Sequence, residues 1–284
     1  GQALICFLPH AGLRRIIKKN LSCFFMAEIQ KIADVLACPQ CRGGLTREEN
    51  GFHCGACRAA YPITDGIADM RKLNDREKAE SADWSSHWGE EHQGGLFQKF
   101  FSFYRKHVFA RTVAYVTDRY FSVAGVFVAA GSGTAETSVR MDKRGGKRTL
   151  IAMDIVFPVL KMCDLVMDAR VCGDNFRMPF RDASLDGIWN LGVMEHFTHE
   201  QIDEMMREFY RALKPGGRLI LFWPATNSVP QKMLKLFEKI INLKKREHKF
   251  QFHPDEISQL RSGRQAREIL HRNGCTPLYV DWGL

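Results

Sequence analysis

Cys38-Pro-Gln-Cys41 and Cys54-Gly-Ala-Cys57 set two C-x-x-C pairs twelve residues apart, with glycines beside both. Each pair forms a tight knuckle that can aim two thiolates at one cation, and two knuckles complete a tetrahedral Zn2+ site. Four thiolates leave no open coordination position, so the ion expected there is structural and not catalytic. A second stretch, VFVAAGSGTAET from Val126 to Thr137, runs a short apolar segment into Gly131 and Gly133 and then into residues able to open a helix. A strand, a glycine turn and a helix start present backbone N–H groups to a ligand, which makes phosphates, dinucleotides and S-adenosylmethionine the candidates.

The residues around the turn narrow that choice. A phosphate-binding P-loop needs Gly-Lys-Ser/Thr, and Gly131-Ser-Gly133-Thr-Ala-Glu has no lysine there. A nicotinamide fingerprint wants a third glycine at position 136, where Glu136 would meet the pyrophosphate. S-adenosylmethionine carries no phosphate but has a cationic sulfonium and an ammonium, so nearby acids help it. Asp154, in LIAMDIV, can accept hydrogen bonds from both ribose hydroxyls.

These residues need a frame to hold them. Apolar runs at 126–130, 149–153, 187–191 and 218–223 alternate with helix-compatible stretches, which predicts an α/β fold, doubly wound around a mostly parallel sheet. Ligands in such sheets bind at the carboxyl ends of the strands, where the glycine turn falls. Ahead of this domain at 123–284 lie a zinc ribbon at 26–70 and a helical linker and cap at 71–122. The linker RKLNDREKAESADW reads as a charged, exposed helix, and the aromatic stretch from Phe97 to Phe121 as helices packed on the main domain. The alternative for that aromatic stretch is a nucleic-acid platform, since Arg105, Lys106 and Arg111 interleave it.

Residues 1–25 differ from the rest and read as an upstream extension or expression remnant, with an amphipathic basic membrane anchor as the alternative. No run approaches the ~18 apolar residues of a membrane span. The remaining cysteines, Cys6, Cys23, Cys163, Cys172 and Cys275, lack metal spacing and suit a reducing cytoplasmic compartment. A net charge of +9 favours acidic partners. Much of it sits in two patches, one before residue 25 and one at 231–250, where seven Lys/Arg face two acids on an expected amphipathic helix. That helix is expected to border the acceptor pocket and draw an anionic acceptor, the alternative being an apolar face packed on the sheet with its lysines simply solvated.

Two resemblances extend this reading. From Ile32 to Met70, with Tyr-Pro-Ile-x-x-Gly-Ile after the second knuckle, the chain resembles the small zinc-ribbon proteins that partner RNA and protein methyltransferases. GDNFRMPFRDASLDGIWNLGVMEHF at 173–197 and YRALKPGGRLILFWP at 210–224, with the glycine turn, resemble the class I S-adenosylmethionine-dependent methyltransferases. That resemblance implies that Gly131 and Gly133 pack under the cofactor, Asp154 takes the ribose, and Asp174 accepts from the adenine amine. It also implies that Ile155 and Asn175 flank the adenine and that Asn190 and Leu191 line the methionine end. Two departures stand out: Ala129 replaces the acid that helps hold the methionine ammonium, and Ala135 replaces the third glycine.

His196, just beyond the fourth strand, is the best base in the sequence, its alternative being a cap of the following helix. There is no Asn/Asp-Pro-Pro-Tyr run for amide or amine acceptors and no Pro-Cys loop for pyrimidine attack. The expected activity is therefore methyl transfer to a small-molecule, glycan or lipid-linked acceptor. RNA is the alternative acceptor, and a cofactor-impaired scaffold is the alternative class.

Overall fold

The computed structural model describes residues 29–72, 102–163, 165–223 and 257–281, together with 74, 78, 79, 81, 82, 84 and 85. The basic helix expected at 231–250 and the segment 1–25 lie outside the described residues.

Among the described residues nine strands, numbered along the chain, form one sheet in the order β1-β2-β3-β4-β7-β6-β5-β8-β9. β1 (Leu45–Glu48), β2 (Gly51–Cys54), β3 (Ala60–Thr64) and β4 (Ile67–Asp69) make an antiparallel meander. β5 (Gly125–Ala130), β6 (Arg148–Asp154), β7 (Ala169–Cys172), β8 (Leu185–Leu191) and β9 (Leu213–Phe222) run parallel. Four of these five contain the apolar runs expected from sequence. β7 was not expected: it is short and carries a cation, Arg170, whose guanidinium is buried against the carbonyls of Leu160 and Asp65.

The meander and the parallel sheet are continuous. β4 pairs in parallel with β7, Ile67 opposite Arg170 and Asp69 opposite Cys172. One core cluster accordingly runs from Ile32, Phe52 and Tyr61 of the ribbon into Val128, Ile151 and Phe180. Backbone bonds from Ala37 N to Pro179 O (3.0 Å) and Arg181 N to Val35 O (2.9 Å) seal the junction. Arg42 adds a bidentate pair to Glu208, both bonds 2.7 Å, and donates to the Met178 carbonyl.

Helices cover the sheet as their periodicity dictates. α1 (Ala110–Tyr120) buries Ala110, Val113 and Thr117, and α2 (Phe157–Lys161) buries Val159 and Leu160. α3 (His199–Ala212) buries Ile202, Met205, Met206, Phe209 and Ala212, a stripe at helical spacing. α4 (Gly263–Arg272) follows later. The aromatic stretch before β5 contributes less core than its spacing suggests. Phe121 is buried, but Phe103 and Tyr115 are 58% and 67% exposed, because small residues occupy the inner face of α1.

Candidate active site and metal centre

The two knuckles repeat one backbone pattern. In the first, Cys38 N donates to Gly43 O and Arg42 N to Cys38 O; in the second, Cys54 N donates to Ala59 O and Arg58 N to Cys54 O. Arg42 and Arg58 both take left-handed φ values of 63°. The four sulfurs converge to within 4.8 Å of one another, with Cys38 to Cys57 and Cys41 to Cys54 each at 3.5 Å. Tetrahedral Zn–S bonds of ~2.3 Å require S–S separations of about 3.8 Å, so the donor set fits a thiolate-bound metal ion. The Cys57 N–H, assisted by that of Ala56, lowers the Cys54 thiol to about 6. The Tyr61 hydroxyl lies 3.1 Å from Cys38 Sγ, and burial raises that phenol, so it keeps a proton that it can donate to a thiolate at Cys38.

The second centre lies at the carboxyl edge of the parallel strands. Gly131 N and Ser132 N both donate to Met153 O at 2.9 Å, which folds the turn back over β6. Gly131 has φ 76°, and a Cβ there would meet Val193 Cγ2 at 2.4 Å, so only glycine fits. The Asp154 carboxylate pins the turn: Oδ2 accepts from Gly133 N (2.8 Å) and Oδ1 from Val156 N (2.9 Å). Burial raises the Asp154 carboxyl, while the Val156 and Gly133 N–H groups oppose that rise. Each oxygen keeps a second lone pair.

Around this turn stand the other expected residues. Asp174 Oδ1 accepts from Phe176 N at 2.9 Å and caps the short 3-10 turn Asn175–Arg177. Ile155 follows β6, and Leu191 ends β8. Asn190, 1% exposed, donates from Nδ2 to Ala130 O at 2.6 Å. Its Oδ1, like Asn175 Oδ1, is buried with no hydrogen-bond partner among the described residues. Ala129 is 3% exposed and packs with Phe127, Ala135 and Trp189. Ala135 adopts φ 56°, the left-handed conformation that a third glycine would relieve.

Glu136 does not stand in for the acid missing at 129. Its carboxylate accepts from Ser102 Oγ (2.6 Å) and pairs with Arg105 (3.1 Å) and Lys106 (3.2 Å). Burial opposes ionisation, but the Ser102 hydroxyl and the two cations hold the carboxyl below its ordinary value. Arg105–Phe109 is a π-helical turn, a geometry frequent at functional sites.

His196 sits in the 3-10 turn Met194–His196 after β8. It does not cap the next helix: Thr198 does, in a reciprocal capping box with Gln201. Sequence reasoning missed three residues near this edge, Arg71, Ser81 and Trp84. Their signal was Ser81, Trp84 and Ser85 at i, i+3 and i+4 in an otherwise charged segment.

The fold is that of a doubly wound domain whose strand order reverses between β5 and β8, the crevice at which such sheets bind ligands. Residues 128–221 match the family described as a methyltransferase domain, and residues 30–66 match the Trm112p-like proteins. The chain carries an S-adenosylmethionine-dependent methyltransferase domain fused behind a Trm112p-like domain. It is 32% identical over 119 residues to a malonyl-[acyl-carrier protein] O-methyltransferase of Xylella fastidiosa, covering 39% of each protein. It is 42% identical over 53 residues to a UPF0434 protein of Methylibium petroleiphilum, covering 18% of this chain and 82% of that one. A solved complex of the Haloferax volcanii Trm112 methyltransferase activator with a methyltransferase aligns at 16% identity and TM-score 0.43, over 72% of this chain and 77% of that chain. The chain spans less than half the length of the first curated relatives it matches.

Proposed function

We propose that the chain transfers a methyl group from S-adenosylmethionine to a small-molecule, glycan or lipid-linked acceptor. The observation that carries this reading is the Asn190 amide. It is 1% exposed at the crevice between β5 and β8, with Nδ2 committed to Ala130 O and Oδ1 without a partner among the described residues. An orphaned buried acceptor costs about 1–3 kcal/mol, and a ligand ammonium would satisfy it. Asn190 thereby offsets the acid absent at Ala129.

The other residues fit the rest of the cofactor. The free lone pairs of Asp154 would accept the ribose hydroxyls, and Asp174 and Asn175 would meet the adenine. Gly131 and Gly133 would pass beneath the ligand, with Ile155 beside the adenine and Leu191 beside the methionine. When bound, S-adenosylmethionine supplies an electrophilic methyl group on a sulfonium. The chain's task is then to align an acceptor in line with that carbon and, at His196, to remove its proton.

Cys38, Cys41, Cys54 and Cys57 would hold one structural Zn2+. Cys163, Cys172 and Cys275 lie outside the four-sulfur cluster, and a reducing cytoplasmic compartment is part of this proposal. Peripheral contact with a membrane that carries a lipid-linked acceptor is part of this proposal; among the described residues no helix is long and apolar enough to cross a membrane.

A second reading, an RNA acceptor, is favoured by one observation: Arg111, Tyr115 and Arg119 line the exposed side of α1 at i, i+4 and i+8. Arginines flanking an exposed ring suit a single strand. Calorimetric titration with S-adenosylmethionine should give saturable one-site binding that Asn190→Ala weakens about tenfold. Labelled cofactor added to small-molecule, lipid and RNA fractions of a cell extract then identifies the acceptor. Label confined to RNA, lost as salt rises, would replace the first reading by the second.

A further inference from the structure

The segment joining the ribbon to the main domain has a structural role that its charged composition hides. Arg71, two residues beyond β4, grips Asp69 with Nε (2.8 Å) and Nη2 (2.6 Å). Its Nη1 donates to the Ile155 carbonyl at 3.2 Å and to Ser81 Oγ at 3.3 Å. Ser81 Oγ donates to the same Ile155 carbonyl at 3.4 Å. Less than one helical turn later, the Trp84 ring meets the His196 imidazole edge-on, centroids 4.9 Å apart at 79°. Ser81, Trp84 and Ser85 are half-buried, whereas Lys78, Ala79 and Ala82 face outward.

The sheet order fixes what lies under this segment. Ile155 follows β6 and His196 follows β8, and β5 runs between those two strands. Strands are spaced ~4.8 Å apart, so the ends of β6 and β8 stand about 10 Å apart. A helical segment that contacts Ile155 through Ser81 and His196 through Trp84 therefore passes over the end of β5, where Gly131 and Gly133 turn. It roofs the crevice and belongs to the site.

We propose that Trp84 is a positioning residue of the methyl-transfer site: its indole fixes the His196 imidazole and walls the acceptor side of the crevice opposite the glycine turn. This rests on His196 acting as the base. An imidazole on a short 3-10 turn can rotate about two side-chain bonds, and edge-to-face contact with a large ring removes that freedom. The wall also excludes water from the side on which a nucleophile must approach the sulfonium. Ser81 and Arg71 hold the segment at its other end, so the ribbon, through Asp69 and Arg71, sets where Trp84 stands.

Three readouts on the intact 284-residue chain test this. Carbethoxylation of His196 by diethylpyrocarbonate, followed by mass spectrometry of its peptide, should quicken several-fold in Trp84→Ala and stay near wild type in Trp84→Phe. S-adenosylhomocysteine affinity, measured by calorimetry, should change less than about twofold in both, which also reports that each variant is folded. Methyl incorporation from labelled S-adenosylmethionine into whole extract should fall about tenfold or more in Trp84→Ala and recover in Trp84→Phe. Unchanged His196 reactivity and unchanged incorporation in Trp84→Ala would overturn the proposal. So would an equal loss in Trp84→Phe, because a ring of similar shape should restore a positioning contact. Should Trp84→Ala lose cofactor binding, Trp84→Leu carries the same comparison. His196→Gln tests the underlying reading separately: full incorporation by that variant, with His196 still more reactive in Trp84→Ala, removes the base and leaves the wall.

Discussion

The cysteine knuckles and the glycine turn are both tight backbone turns that gather polar groups about a point, yet they balance charge in opposite ways. The knuckles draw four sulfurs within 4.8 Å of one another, an arrangement that in its thiolate form gathers like charges and calls for a cation. The glycine turn gathers N–H groups and answers them from within the chain, through the Met153 carbonyl and the Asp154 carboxylate. One region is incomplete without its ligand; the other is organised in advance. Affinity for a soluble cofactor gains from that second arrangement, because little ordering remains to be done on binding.

The sharpest way to break this contrast is to remove the metal. Metal analysis should find about one zinc per chain, and a strong chelator or Cys54→Ser should unfold the ribbon, since such sites contribute on the order of 10 kcal/mol. A metal-free protein that retained its thermal transition would show that the shared core suffices. Next in size is Asp154→Ala, which removes the internal counter-charge from the turn. Cofactor affinity should fall by more than a decade in calorimetry, at about 1.5–3 kcal/mol per charged hydrogen bond lost. Unchanged affinity would move the ribose elsewhere.

Acid should separate the cap from the turn. The Glu136 carboxyl is held low in the folded protein, so its contribution is present above its ordinary 4.5 and is lost as pH falls through the depressed value. Protection of the amides at 102–109, corrected for the intrinsic pH dependence of exchange, should therefore fall below about pH 4.5, and Glu136→Gln should show the lower protection already at neutral pH. The smallest effect belongs to Ala135→Gly. Relief of its left-handed φ of 56° is offset by the added freedom of the unfolded chain and by the lost buried methyl, so thermal stability should change by less than about 0.5 kcal/mol.

How much was legible in the sequence follows from the distance between partners. The knuckles were readable because Cys38 and Cys57 lie within 20 residues and their spacing is itself the geometry. The parallel strands were readable where apolar runs mark them, and β7 was not, because Arg170 interrupts four short residues. The resemblance named Asp154 for the ribose; its grip on Gly133 N appears only once β6 lies beside β5. The union of ribbon and sheet was hidden for another reason. Backbone pairing between β4 and β7 leaves no side-chain signature, and its partners stand about 100 residues apart. Trp84 was hidden likewise, since only the fold brings it to His196.

That separation between β4 and β7 has a consequence during synthesis. A ribosome adding roughly 5–20 residues per second delivers Asp69 some 5–20 seconds before Cys172, its partner across the strand pair. Through that interval the residues of the knuckles and the meander are all present, while β4 lacks the neighbour that covers its edge. Closure of the nine-stranded sheet must therefore wait for β7, the strand that lies between the ribbon and β6.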